Sequence, residues 1–298
     1  MKKEIKGIIP PLTTPFGENE ALDTDNLQAN IRKLCEFPLA GFLVLGSNGE
    51  LVMLSESECT QVLHAARAAI PKDRIMLAGT GCQSTGATIA LTQQAARAGA
   101  DAALVLNPSY YKGQMSKDVL VSHYHRVADA SQIPVLIYNM PSNTGLDMTA
   151  DTILEIASHP NIIGLKDSGG NLAKMGNITG AAGKDFRVLA GSAGFLLPAL
   201  SIGASGGILA LANIAPEQCC AIYDGFFTGK LEDAKAMQQR MIRANALVTR
   251  QWGVPALKAA MDMLGFYGGP CRKPLQAISQ KEENILKETL QASGILPS

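Results

Sequence analysis

Aromatic side chains make up only 5% of the 298 residues and charged ones only 17%, with 26 basic and 26 acidic groups that cancel. Without net charge there is no electrostatic footprint for nucleic acid or an anionic membrane, so a small molecule is the expected partner. Cys35, Cys59, Cys82, Cys219, Cys220 and Cys271 lack any C-x-x-C spacing, which points to buried or free thiols in a reducing compartment. No apolar run reaches the roughly 18 residues of a membrane span. Met1 to Lys6 lead straight into Gly7-Ile8-Ile9 with no long apolar stretch, cleavage site or Arg/Ser-rich amphipathic segment, so the expected location is the cytoplasm. His64, His123, His125 and His159 form no metal-ligand spacing, and there is no Walker loop, H-E-x-x-H or G-x-S-x-G. Gly79-Thr80-Gly81 with Asp101 imitates half of a dinucleotide fingerprint, but Ser84 replaces its third glycine. Neither a metal nor another cofactor is expected.

What the chain does have is apolar residues, 47% of the total, enough for a large core. Short apolar segments near 6–10, 41–46, 74–79, 102–107, 133–138, 162–166, 186–191 and 206–210 read as buried strands. Longer segments of helical period follow them, among them 24–37, 55–70, 84–99, 116–131 and 149–158. Ser55 with Glu58 forms a capping box, and Thr24, Ser84, Ser116 and Thr149 occupy similar positions. Eight strand-then-helix units predict an α/β fold, a (β/α)8 TIM barrel over residues 1–225, with an open doubly wound sheet as the alternative. Helical stretches near 231–249, 255–264 and 280–294 predict a C-terminal three-helix extension over 226–298, packed on the barrel or on a neighbouring subunit.

In such barrels reactive groups gather at the carboxyl ends of the strands. Here those ends read Gly46-Ser47-Asn48-Gly49-Glu50, Asn107-Pro108-Ser109-Tyr110-Tyr111, Tyr138-Asn139-Met140-Pro141, Lys166-Asp167-Ser168 and Gly191-Ser192. Strand alternation puts Lys166 and Ser168 on one face and Asp167 on the other. An ammonium against apolar walls loses hydration, which favours a free amine able to attack a carbonyl. The plain alternative is a lysine whose stem lies along the core while its head reaches water or pairs with Asp167. Tyr138 is either a core aromatic or, beside such a lysine, a proton shuttle. Ser47 lies in a turn whose hydroxyl and N–H groups can hold a carboxylate, or is simply a turn residue. Tyr110 and Tyr111 read as surface or interface aromatics.

Thr14-Pro15-Phe16, Gly46-Ser47-Asn48-Gly49-Glu50, Tyr138-Asn139-Met140-Pro141 with Thr144-Gly145, and Gly164-Leu165-Lys166-Asp167-Ser168 together resemble the pyruvate-dependent aldolase superfamily of dihydrodipicolinate synthase and N-acetylneuraminate lyase. Within it the chain is most similar to the 4-hydroxy-2-oxoglutarate aldolases, through Lys166 to Gly170, Leu189 to Phe195 and Tyr267 to Arg272. The resemblance implies a class I aldolase in which Lys166 forms a Schiff base with the 2-oxo carbon and Tyr138 relays protons. It implies that Ser47 and Asn48 hold the pyruvate-side carboxylate, that Ser168 meets the distal end of the substrate, and that Gly191 and Ile208 line the floor. Tyr110 would reach in from a neighbouring subunit of a homotetramer, a dimer of dimers. Ser47-Asn48 stands where the synthases carry Thr-Thr, and Asn143, a candidate substrate-binding amide for a distal carboxylate or hydroxyl, stands where they carry an arginine for the carboxylate of aspartate semialdehyde. Loss of that fixed bidentate cation argues against the synthase activity.

The animal aldolases of this group are made with a mitochondrial targeting segment, and none is visible in this sequence. The implied reaction is cleavage of 4-hydroxy-2-oxoglutarate to pyruvate and glyoxylate. Synthase-like condensation of pyruvate with an aldehyde, a 2-oxo sugar acid aldolase or dehydratase, and a barrel that only binds a 2-oxo acid stand as alternatives.

Overall fold

The computed structural model describes residues 3–297. The apolar segments form β1 (Gly7–Ile9), β2 (Gly41–Val44), β3 (Ile75–Gly79), β4 (Ala102–Leu106), β5 (Val135–Asn139), β6 (Ile162–Asp167), β7 (Arg187–Ala190) and β8 (Gly206–Ile208). They make one parallel sheet in the order β1-β8-β7-β6-β5-β4-β3-β2. The two ends of that order meet: Ala40 N donates to Ile8 O at 2.9 Å, Leu43 N to Pro10 O at 3.0 Å and Leu12 N to Leu43 O at 2.8 Å. The sheet therefore closes into the expected TIM barrel and keeps no free edge, which the open doubly wound alternative requires.

Around the strands run α1 (Thr24–Leu34), α2 (Glu56–Ala69), α3 (Thr85–Arg97), α4 (Lys117–Ala130), the short α5 (Pro141–Thr144), α6 (Ala150–Ile156), α7 (Leu172–Ala181), α8 (Leu196–Ser201) and α9 (Pro216–Phe227). Ser55 and Glu58 close a reciprocal capping box on α2, and Ser84, Ser116 and Thr149 each accept an N–H of the first turn they precede. The cap of α1 is Asp23 rather than Thr24. A carboxylate at that position both accepts the free N–H of Asn26 and complements the positive end of the helix.

Strand alternation sorts the apolar side chains into two cores. Ile9, Leu43, Leu77, Leu104, Leu136, Tyr138, Leu189 and Ile208 fill the barrel interior, while Phe42, Val44, Val105, Ile137, Leu165 and Val188 pack outward against the helices. At Gly81 a Cβ would stand 2.4 Å from Leu106 N, so the Gly-Thr-Gly segment is explained by backbones in close approach.

Beyond α9 come α10 (Leu231–Ala246), a single π-helical turn (Leu247–Gln251), α11 (Gly253–Met263) and α12 (Gln280–Ala292). This helical extension packs on its own barrel. From α10, Gln238 donates to Ala193 O at 2.7 Å and accepts from Leu197 N at 2.9 Å, while Asn245 donates to Ser192 Oγ at 2.9 Å. The loop after β7 is thus held from the C-terminal helices.

Candidate active site

β5 and β6 pair so that Tyr138 lies opposite Lys166, and β7 sets Leu189 on the other side of Lys166. Both residues stand one position before the end of their strands, which brings them to the mouth of the barrel. Each is only 4% exposed, and Lys166 Nζ lies 4.2 Å from the centre of the Tyr138 ring. An ammonium over an aromatic face is attracted by the ring quadrupole. The pairing of Lys166 with Asp167 does not occur. Asp167 points to the opposite face, where it lies 3.1 Å from Lys174 Nζ and accepts hydrogen bonds from Asn139 Nδ2 and Gly169 N, each at 2.8 Å.

Burial alone would raise the pKa of the Tyr138 phenol. The positive charge of Lys166 and the hydroxyls of Ser47 and Ser168 outweigh it and hold the phenol below its ordinary value. A phenol tuned downward beside an amine is better suited to giving up and taking back a proton than an ordinary tyrosine.

Ser47 and Asn48 occupy a 3-10 turn, Ser47–Gly49, framed by Leu45 and Glu50, both left-handed with φ of 55°. Side chains with a Cβ are disfavoured there by about 1–2 kcal/mol each, and the surrounding structure offsets that cost. Thr14 Oγ1 donates to Gly49 O at 2.6 Å. The buried Glu50 carboxylate lies 2.7 Å from the equally buried Lys258 ammonium of α11 and accepts from Arg272 N at 2.9 Å. Lys258 and Arg272 both stand over the Phe16 ring, at 4.6 and 4.3 Å from its centre. Arg272 also grips Glu58 through two nitrogens, at 2.9 and 2.6 Å, which draws the Glu58 carboxyl down to about 2. The turn is thereby preorganised from the far end of the chain.

Among the described residues, Asn48 Nδ2 is buried with no hydrogen-bond partner, and Ser168 Oγ faces the Tyr138 phenol without completing a well-formed bond to it. Such groups cost about 1–3 kcal/mol unless they are satisfied, and the oxygens of a carboxylate ligand would satisfy them. Gly191 fits only as glycine, because a Cβ there would stand 2.0 Å from Ser168 Oγ. Ile208 belongs to the same interior cluster as Tyr138 and Leu189. The fold thus gathers Lys166 and Tyr138 with Ser47 and Ser168, places Asn48 in the same turn as Ser47, and sets Gly191 against Ser168. Tyr110 and Asn143 are both exposed in the single chain. Tyr110 is 78% exposed and stacks edge-on with Tyr111 at 5.0 Å between centres. Asn143 lies exposed on α5 and accepts from Ser142 Oγ at 3.2 Å.

Glu50, Lys258, Arg272, Gln238 and Asn245 were not foreseen as supports of the site. Glu50 stood within a recognised motif, but its partner lies on α11, where a lone lysine in a helical pattern reads as solvated. Lys258→Met should destabilise the protein by about 3–5 kcal/mol, because it leaves a buried carboxylate unpaired. Urea unfolding measures this, and a midpoint equal to that of the unmodified protein would contradict it.

The model of the dihydrodipicolinate synthetase family matches residues 4–293. The chain is 40% identical over 294 residues to a protein of Emericella nidulans named probable 4-hydroxy-2-oxoglutarate aldolase, mitochondrial, with 97% of this chain and 95% of that relative covered. It is 35% identical to the 4-hydroxy-tetrahydrodipicolinate synthase of Methanococcoides burtonii, covering 98% of this chain and 99% of the relative. Among solved structures, a prophage protein of the dihydrodipicolinic acid synthase family from E. coli K12, in complex with pyruvate, superposes with a TM-score of 0.92 at 29% identity, covering 98% of this chain and 99% of that one. The fungal relative's name places that protein in mitochondria, so the comparison lends no support to the cytoplasmic expectation. Among the described residues no helix is long and apolar enough to cross a membrane.

Proposed function

The chain belongs to the dihydrodipicolinate synthetase family, and we propose that within it the protein is a class I aldolase that cleaves 4-hydroxy-2-oxoglutarate reversibly to pyruvate and glyoxylate. The observation that carries this reading is the buried Lys166 amine against the Tyr138 ring at the mouth of the barrel. The amine adds to the C2 carbonyl and water leaves, giving a cationic imine. Tyr138 takes the proton of the C4 hydroxyl as the C3–C4 bond breaks, and the bonding electrons flow into the imine. Glyoxylate departs, the enamine is protonated at C3, and hydrolysis releases pyruvate and the free amine. Ser47 and Asn48 hold the C1 carboxylate, Ser168 meets the distal carboxylate, and Gly191 and Ile208 form the floor. Tyr110, exposed in the single chain, enters the site of a second copy in a dimer that pairs into a tetramer.

Asn143 supports this reading over the synthase reading, which the similarity to the Methanococcoides enzyme favours. An amide lacks the charge and the five-donor fork with which an arginine clamps a carboxylate. That difference is worth about 1.5–3 kcal/mol, or roughly one to two decades in specificity. On one preparation, kcat/KM should be high for 4-hydroxy-2-oxoglutarate cleavage and low for condensation of pyruvate with aspartate semialdehyde. A tenfold or greater preference for the semialdehyde would replace the aldolase with the synthase. Light scattering on the same sample should find an oligomer, and a fully active monomer would refute the shared site.

A further inference from the structure

Behind the two reactive strand ends lies a buried polar cluster that takes no part in the chemistry described above. Asn139 and Asp167 follow Tyr138 and Lys166 by one residue each, face one another across the β5–β6 ladder, and are completely buried. Asn139 Nδ2 donates to Asp167 Oδ2 and to Asp147 Oδ1, both at 2.8 Å, and Asn139 Oδ1 accepts from Met148 N at 3.1 Å. Lys174, on α7, completes the cluster. Its side chain is 8% exposed, and its ammonium lies 3.1 Å from Asp167 Oδ2 and 3.4 Å from Met148 O and also binds Asp147. On the site side of the cluster, Asp167 Oδ1 accepts from Gly169 N at 2.8 Å, Asp167 O accepts from Gly191 N at 2.8 Å, and Asn139 O accepts from Ser168 N at 2.9 Å.

Resting on the reading of Lys166 as the imine-forming amine, we propose that Lys174 is a positioning residue: by neutralising Asp167 and tying α7 to the outer face of β5 and β6, it sets the geometry of Tyr138 and Lys166 on the inner face. Consecutive residues of a strand share a peptide plane and point to opposite faces, so a rotation of Asp167 or Asn139 carries Lys166 or Tyr138 with it. Reacting groups tolerate little such motion, and a displacement of about 1 Å costs on the order of a hundredfold in rate. Removal of the Lys174 charge leaves Asp167 buried beside Asn139 with only neutral partners. The strand ends must then shift to admit water or a proton.

The test follows formation of the pyruvate imine, trapped by borohydride and located by mass spectrometry, as a function of pyruvate concentration. This readout does not depend on which aldehyde the enzyme releases. Lys174→Met should lower the maximal trapping rate by about 10–100-fold, with half-saturating pyruvate little changed. Lys174→Arg, which keeps a cation facing Asp167, should stay within about threefold of the unmodified protein. The double variant Asp167→Asn, Lys174→Met buries no unpaired charge and so keeps the test open where the single variant fails to fold. It should lose about tenfold, because the tie to α7 is gone. An unchanged maximal rate in the folded double variant, or a loss that appears only in half-saturating pyruvate, overturns the inference. If the unmodified protein forms no adduct on Lys166, the reading of function itself falls, and with it the part given to Lys174.

Discussion

Lys166→Arg should reduce turnover by at least about four decades, the scale on which loss of an acting nucleophile is felt. A guanidinium stays protonated throughout the working pH range and cannot offer a free amine to the 2-oxo carbon. The substitution keeps a cation that can lie over the Tyr138 ring, from which Lys166 Nζ is 4.2 Å distant, so the packing of the barrel mouth should largely survive. The expected loss is therefore chemical, with a melting temperature close to that of the unmodified protein. With pyruvate and borohydride the unmodified protein should gain a reduced adduct on Lys166, and the variant should gain none. Turnover retained in the variant would contradict the assignment. So would an adduct on one of the other buried lysines, Lys174 or Lys258, in the unmodified protein.

The reactive pair was legible because its determinants are local. An apolar run that ends in one lysine, and a second that ends in one tyrosine, define two strands, and the period of two then fixes which side chains face inward. The same rule placed Asp167 on the outer face, but it did not name Lys174 as its partner. Buried ion pairs such as Asp167–Lys174 and Glu50–Lys258 join segments far apart in the chain, and a helical lysine carries no sign in its own neighbourhood that its head is desolvated. The four-residue α5 and six-residue α8 are too short for their periodicity to register. The left-handed Leu45 and Glu50 were hidden because residues with a Cβ rarely adopt that conformation, and only the tertiary contacts of the turn hold them there. Tyr110 marks a different limit: the single chain leaves it exposed, and the role proposed for it needs a second copy.

Tyr138→Phe should lower kcat by roughly 10²–10⁴-fold, the usual contribution of a positioned acid–base group. The change deletes one oxygen and leaves the ring in the interior cluster and under the Lys166 ammonium, so the fold and the cation contact remain. The variant should still trap pyruvate on Lys166, more slowly, because imine formation requires the amine first and the phenol only for proton transfer. Cleavage of the C3–C4 bond should suffer most, since Tyr138 is the group proposed to accept the proton of the C4 hydroxyl. The pH profile supplies the sign. Burial raises the phenol's pKa, but the Lys166 charge and the Ser47 and Ser168 hydroxyls bring it below its ordinary value of 10.0. As pH falls through that lowered pKa the phenolate that accepts the proton is lost, so kcat of the unmodified enzyme should decline on the acid side. That limb should be absent from the residual rate of the variant. An acid limb that persists unchanged in Tyr138→Phe would assign the proton transfer to another group.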